Sequence, residues 1–250
     1  FYALPYYFQK NPNNVLVVAS GTGNDVAAAL ANNAKHIDAV EIDPVIQKMG
    51  ELVHPQSPYS SDKVSIFVDD ARSFLKTTKT KYDLIVYGLL DAHTLLSGKS
   101  GGIRLDSYIY TTEAFREARE KLNENGLICL SFATLSPHLG KKLYLMLKEG
   151  FDGYAPTVYL THHGGHTFLI GNKNIDSLIN KYTTYQNVTR TIDNSQLYTD
   201  KATDDWPFFY MSKKVYPTSY LSVVLLILLS SIFLIKKTTN LSFRSFSPTC

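Results

Sequence analysis

Five short apolar runs, each followed by a turn and then by a helical stretch, restrict this chain to one broad architecture. The runs are Val15-Leu-Val-Val-Ala19, Ile37 to Ile42, Val64 to Val68, Tyr82 to Leu89 and Gly126 to Phe132. Each is apolar enough to be covered on both faces, as strands of a parallel sheet are. The helical stretches are Asp25 to Ala31, Pro44 to Val53, Ala71 to Leu75, Thr112 to Leu122 and a segment from Pro137 to about Lys148. Asp43 is placed to cap the second helix, with Pro44 at its first position, and Asp70 to cap the third. The alternation predicts an α/β fold with a doubly wound, mostly parallel sheet. Thr157 to Leu160 and Thr167 to Ile170 close that sheet as a hairpin around Gly164-Gly165.

A second solvent enters at the C-terminus. Tyr220 to Ile235 carries no charge, and extended back to Tyr216 it approaches the ~20 residues that a helix needs to cross a bilayer. Lys213 and Lys214 precede it, Lys236 and Lys237 follow it, and Tyr216 and Tyr220 stand at interface depth. The mean hydropathy of -0.10 averages over these two parts. The expected organisation is a connecting segment over 1–14, a cofactor-binding domain over 15–171 and an extension packing on it over 172–212. A transmembrane helix over 216–235 and a polar tail over 236–250 follow. The start at Phe1, with no initiator Met, suggests a piece of a longer chain.

Composition excludes several classes. A net charge of +3 from 25 basic and 22 acidic residues is too balanced for a dedicated nucleic-acid binder. Cys129 and Cys250 supply neither a disulfide framework nor metal-ligand spacing, which fits a reducing compartment. His162, His163 and His166 have no carboxylate among them and read as a hairpin turn, so no metal is expected.

In open parallel sheets ligands bind beyond the carboxyl ends of the strands, so the loops carry the chemistry. The first loop holds Gly21-Thr22-Gly23, where glycines let a ligand approach the backbone and helix N-terminal amides. Glu41 ends the second strand, 18 residues after Gly23, and a carboxylate there can accept both hydroxyls of a ribose. Val26 stands where the dinucleotide fingerprint needs its third glycine, which argues against a nicotinamide cofactor. Asp70-Ala71 ends the third loop, and the Asp70 carboxylate can accept from an adenine amino group while it caps its helix.

These residues together resemble a known family. Val15 to Asp25, Val40-Glu-Ile-Asp-Pro44, Asp70-Ala71 and Tyr82-Asp-Leu-Ile85 are similar to the S-adenosylmethionine-binding fold of class I methyltransferases, and more narrowly to its spermidine synthase branch. Ile109 to Phe115, leading into Leu122 and Gly126, resembles that branch's helix following the active-site loop, while Asp91-Ala-His-Thr-Leu-Leu-Ser97, Arg104-Leu-Asp-Ser-Tyr108 and Thr203-Asp-Asp-Trp-Pro-Phe208 resemble its bacterial, membrane-associated members. The resemblance implies S-adenosylmethionine or its decarboxylated form as co-substrate, held by Gly21, Thr22, Gly23, Glu41, Asp70 and Ala71. It implies transfer of an aminopropyl or methyl group to an amine-type acceptor, with Asp91 and His93 catalytic and Asp91, Tyr108 and Tyr110 holding the acceptor. It also places the catalytic domain in the cytoplasm beside a lipid bilayer and leaves a homodimer open.

Two departures qualify the aminopropyl reading. Polyamine synthases that this chain resembles carry a D-x-x-D after the fourth strand, and here the stretch is Gly88-Leu-Leu-Asp91. They also carry an acid within the glycine loop, where Thr22 stands. An ordinary methyltransferase and a catalytically inactive nucleoside-binding module of a membrane protein are the alternatives. Glu41→Ala is expected to abolish nucleoside binding with little effect on folding.

Overall fold

The computed structural model describes residues 2–88, 108–134, 136–161, 165–173, 185–216 and 218–239. Its contacts divide the chain into Phe1–Ser212 and Lys213–Cys250.

The first unit opens with a short helix, α1 (Leu4–Phe8), followed by β1 (Asn14–Val18), α2 (Asn24–Ala31), β2 (His36–Glu41), α3 (Pro44–Val53), β3 (Val64–Val68), α4 (Ala71–Thr77) and β4 (Tyr82–Tyr87). Next come α5 (Thr112–Glu120), β5 (Leu122–Phe132), α6 (Pro137–Gly150), β6 (Thr157–Leu160), β7 (His166–Gly171), β8 (Gln186–Asn187) and α7 (Thr189–Asp193). The strands form one sheet in the order β3-β2-β1-β4-β5-β7-β6-β8. Strands β1 to β5 pair in parallel, and β7, β6 and β8 pair antiparallel at the far edge. This is the doubly wound, mostly parallel sheet that the alternation requires. Its order reverses between β1 and β4, and open sheets of this kind bind ligands at such a switch point.

Each central strand is apolar throughout because each side of it meets a different core. Leu16, Val18, Ile85, Ile128 and Leu130 pack with Phe115, Leu143 and Leu147 from α5 and α6. Val15, Val17, Leu84, Val86 and Cys129 pack on the other side with Val26 and Ala29 from α2 and with Leu4 and Tyr6 from α1. The residues before β1 therefore contain a helix with buried side chains. Its five residues are too few for periodicity to reveal.

Two capping expectations are met in detail. The Asp43 side chain accepts from the Val45 and Ile46 amides, and that of Asp70 accepts from the Ser73 amide.

Polar bonds tie residues 185–212 to the sheet. Lys142 is buried in α6, and its ammonium donates to the Phe209 carbonyl at 2.9 Å and to that of Met211. Neighbouring Lys141 donates to the carbonyls of Ile192 and Asp193 at 2.9 and 2.7 Å. The buried guanidinium of Arg72, on α4, carries the largest share. It donates to Asp204 through Nη1 and Nη2, both at 2.6 Å, and to Glu117 through Nε at 2.9 Å and Nη2 at 3.0 Å. Nη1 also donates to the Tyr108 carbonyl at 3.1 Å. A planar fork with five donors suits this double bidentate pairing, which a lysine could not reproduce.

The second unit contains α8 (Thr218–Thr239). Residues Thr218–Lys237 have a mean hydropathy of 2.3 and are not buried against protein. The helix is long and apolar enough to span a bilayer, and it begins two residues later than the sequence pattern gives.

The Arg72 pairing makes a pH-dependent prediction. Arg72 holds the Asp204 carboxyl below its ordinary 3.8 by hydrogen bonding. A depressed carboxyl adds stability above its unfolded pKa and loses it as the pH falls through the folded one. Asp204 is 40% exposed, so solvent screening limits its contribution. Asp204→Ala should cost about 1–2 kcal/mol near pH 7. Chemical denaturation at pH 7 and pH 3 should show that deficit shrinking in acid.

Candidate functional site

The site is built on the loops at the carboxyl ends of β1, β2, β3 and β4. After β1 the chain turns sharply, with Ala19 at φ +50°, Gly21 at +56° and Gly23 at +102°. Gly23 is required twice over. Its positive φ suits glycine, and a Cβ there would lie 2.7 Å from Pro58 Cγ and 3.1 Å from the Tyr59 ring.

Glu41 ends β2 and is 5% exposed. Its Oε2 accepts from the Gly21 amide at 2.8 Å, and its Oε1 accepts from the Asp43 amide at 2.9 Å. One carboxylate thus fastens the glycine loop to the start of α3. Each oxygen keeps a second acceptor direction. Below the loop, the Tyr59 hydroxyl lies 2.7 Å from the Gly21 carbonyl oxygen and 2.9 Å from Ser20 Oγ. Burial pushes the Tyr59 phenol up to about 12, so it stays protonated and keeps its hydrogen to donate.

At the third loop Asp70 caps α4 through Ser73 N at 2.8 Å, while its own amide donates to Asp69 Oδ1 at 2.7 Å. Ala71 is buried behind it. The Asp69 amide donates to the Glu41 carbonyl at 3.1 Å, so the second and third loops are joined by backbone as well. The structure therefore brings Gly21, Thr22, Gly23, Glu41, Asp70 and Ala71 to adjoining loops at one end of the sheet.

The residues expected to hold the acceptor are described only in part. Asp91 and His93 lie outside the described residues, as do Arg104, Asp106, His162 and His163. Tyr108 is 36% exposed. Tyr110 is 3% exposed, and its ring stacks on Phe209 at 5.0 Å and meets Phe132 edge-on at 5.4 Å. That ring is committed to an aromatic cluster with the chain's C-terminal extension. His166 opens β7, where its Nδ1 pairs with the Thr134 hydroxyl and burial lowers its pKa.

Sequence reading passed over three participants. Tyr59 lies in a short 3-10 turn with no periodic signal, although the Pro58 before it marks a rigid turn. Arg72 follows the Asp70-Ala71 pair, and its partners are 45 and 132 residues away. Asp25 stands in the first turn of α2, next to the glycine loop. Burial pushes its carboxyl up to about 6 from 3.8.

Residues 2–163 match the spermine/spermidine synthase domain. The chain belongs to the spermine/spermidine synthase family. Polyamine aminopropyltransferase 2 of Aquifex aeolicus is 25% identical to it over 187 residues, covering 68% of this chain and 34% of that one. The polyamine aminopropyltransferase of Thermoplasma acidophilum is 23% identical over 165 residues, covering 62% and 57%. That of Clostridium perfringens is 30% identical over 123 residues, covering 47% and 40%. The chain thus spans from about a third to a little over half the length of these relatives.

Among solved structures, spermidine synthase from Thermotoga maritima superposes with a TM-score of 0.56 at 16% identity, over 87% of this chain and 70% of that one. Human methyltransferase-like protein 13 in complex with SAH gives 0.54 at 18% identity, over 73% and 82%. At these identities the likeness is one of fold, the fold that spermidine synthases and class I methyltransferases have in common.

The two bonds of Glu41 revise one expectation for this family member. Glu41→Ala leaves the Gly21 and Asp43 amides without their acceptor, so it cannot be neutral for folding. Urea denaturation should show a loss of about 2–3 kcal/mol, and hydrogen exchange at Gly21 and Asp43 should quicken. Asp25 predicts the opposite sign. Its raised carboxyl binds a proton in the native state that the unfolded chain has released, so stability falls as the pH rises from 3.8 to about 6. Asp25→Asn should be about 3 kcal/mol more stable than wild type at pH 8 and indistinguishable from it below pH 4.

Proposed function

We propose that this chain is the catalytic part of a membrane-attached transferase of the spermidine synthase type, acting on an adenosyl sulfonium and an amine. The clamp of Glu41 on the glycine loop carries the reading, because it presets two loops around a carboxylate with acceptor capacity to spare. In this reading Glu41 receives the ribose hydroxyls and Asp70 the adenine amine. Gly21 to Gly23 supply close backbone approach beneath the sulfonium side chain. A cationic sulfonium gains from nearby carboxylates and aromatic faces.

The co-substrate is decarboxylated S-adenosylmethionine, and the group transferred is aminopropyl. The family relatives, named polyamine aminopropyltransferases, support this choice. An amine attacks the carbon next to sulfur, so the site must hold a cation and remove a proton. Asp91 binds the acceptor, and His93 lies two residues on. Apolar helix α8, bracketed by lysines, anchors the chain to the bilayer, and a cytosolic co-substrate favours the catalytic unit on the cytoplasmic side. Thr22 and Gly88 favour a second reading, methyl transfer from S-adenosylmethionine, because in-line positioning next to a methyl group needs little acid–base help.

Mass spectrometry of products from the full chain in detergent, given a diamine and each co-substrate separately, decides between them. The expected product is an aminopropylated diamine, formed only with the decarboxylated co-substrate. Methylated product with S-adenosylmethionine would replace the first reading by the second, and no product with either would remove both. Asp91→Asn should lower the turnover at least about tenfold while leaving co-substrate affinity within a few-fold.

A further inference from the structure

Asp25 is a carboxylate beside the glycine loop that takes part in neither the Glu41 clamp nor the cap of α4. It stands in the first turn of α2 and caps nothing, and no hydrogen bond or ion pair of its carboxylate is made among the described residues. A carboxylate kept only for the helix dipole would normally be solvated or bonded to a first-turn amide.

Its position is set by Gly88, the buried residue that follows β4. A Cβ on Gly88 would lie 2.7 Å from Asp25 Oδ2 and 4.0 Å from the Ala19 carbonyl oxygen. Asp25 therefore fills the space that a side chain at residue 88 would enter. Strands β1 and β4 are neighbours here, paired through Val18 and Tyr87, so the carboxylate stands at the switch point of the sheet.

The groups around it are Tyr2 and Tyr6 from the N-terminal segment, Tyr59 from the 3-10 turn and Cys129 from β5, and each feels its charge. All four are neutral near pH 7, and burial raises the pKa of each. The Tyr6 hydroxyl is buried without a hydrogen-bond partner among the described residues. None of these groups offers Asp25 a positive charge, so among the described residues its charged form has no cationic partner.

We infer that Asp25 receives the acceptor amine and takes its proton, occupying from α2 the place at the end of β4 that Gly88 leaves open. This assignment rests on the aminopropyl-transfer reading above. The acceptor enters as an ammonium and pairs with the Asp25 carboxylate. One proton passes from nitrogen to Oδ2, and the freed lone pair attacks the carbon bonded to the sulfonium sulfur. The C–N bond forms as the C–S electrons return to sulfur. The products are a secondary ammonium and a neutral thioether nucleoside, and Asp25 then releases its proton to water. A carboxyl pushed up to about 6 is matched to this exchange near neutral pH.

Three measurements on the full chain test the inference. Transfer to 1,4-diaminobutane across pH 5–9, with calorimetry of decarboxylated S-adenosylmethionine in parallel, compares wild type with Asp25→Asn and with the double variant Asp25→Ala/Gly88→Asp. Asp25→Asn should lower kcat by about a hundredfold or more, abolish the acid limb near pH 6 and leave nucleoside affinity within about threefold. The double variant returns a carboxylate to the same space from the strand side and should recover at least about a tenth of wild-type kcat. Carboxyl NMR of Asp25 supplies a readout independent of turnover, since its titration should move to lower pH when 1,4-diaminobutane is added.

A kcat for Asp25→Asn within twofold of wild type, with the acid limb intact, overturns the assignment. So does a titration that diamine does not move. Absence of transfer in wild type with the titration still moved contradicts the reaction and the proton step, and it retains the contact between Asp25 and the amine.

Discussion

The Glu41 carboxylate is the constraint on which the site depends. It is buried at the end of a central strand, where a lone charge would be expensive, and it is satisfied by two backbone amides from two different loops. The glycine loop cannot drift from the start of α3 without breaking a charge-assisted bond. Tyr59 holds the same loop from beneath through the Gly21 carbonyl. A ligand therefore meets a preset surface and need not order these loops itself, which lowers the cost of binding.

A second anchor lies on the other side of the sheet's end. The Arg72 guanidinium joins α4, α5 and the segment around Asp204 through paired carboxylates, and Lys142 fixes Phe209 and Met211. Phe209 completes an aromatic cluster with Tyr110 and Phe132. Residues 185–212 gain their order from these cations and from the burial of Ala202 and Phe209 in the core. The arrangement draws residues 185–212 back onto α4, α5 and α6.

Local signals made the central fold legible. The strands of the parallel half and the caps at Asp43 and Asp70 could be read because burial on both faces, N-capping and proline placement leave marks within a few residues. α1, β8 and α7 left none, being five, two and five residues long and stabilised by contacts with distant elements. In the site, Glu41 and the glycine loop could be singled out from their spacing. The part of Glu41 in holding Gly21 and Asp43 could not be, because it depends on how two loops meet. Asp25 was hidden for the same reason. It reads as an ordinary first-turn acid until its carboxylate is placed beside Gly88, 63 residues later. Departures from a family pattern at one position are best sought in space, where a residue from another element can stand in for the missing group.

Calorimetry of the full chain with decarboxylated S-adenosylmethionine, S-adenosylmethionine and methylthioadenosine tests the central claim most directly. A preset nucleoside site serving aminopropyl transfer predicts that the decarboxylated form binds at least about tenfold more tightly than S-adenosylmethionine, an affinity gap of about 1.4 kcal/mol. Methylthioadenosine should bind measurably, since it shares the nucleoside. Absence of binding by all three would contradict the account, whatever the fold and family of the chain.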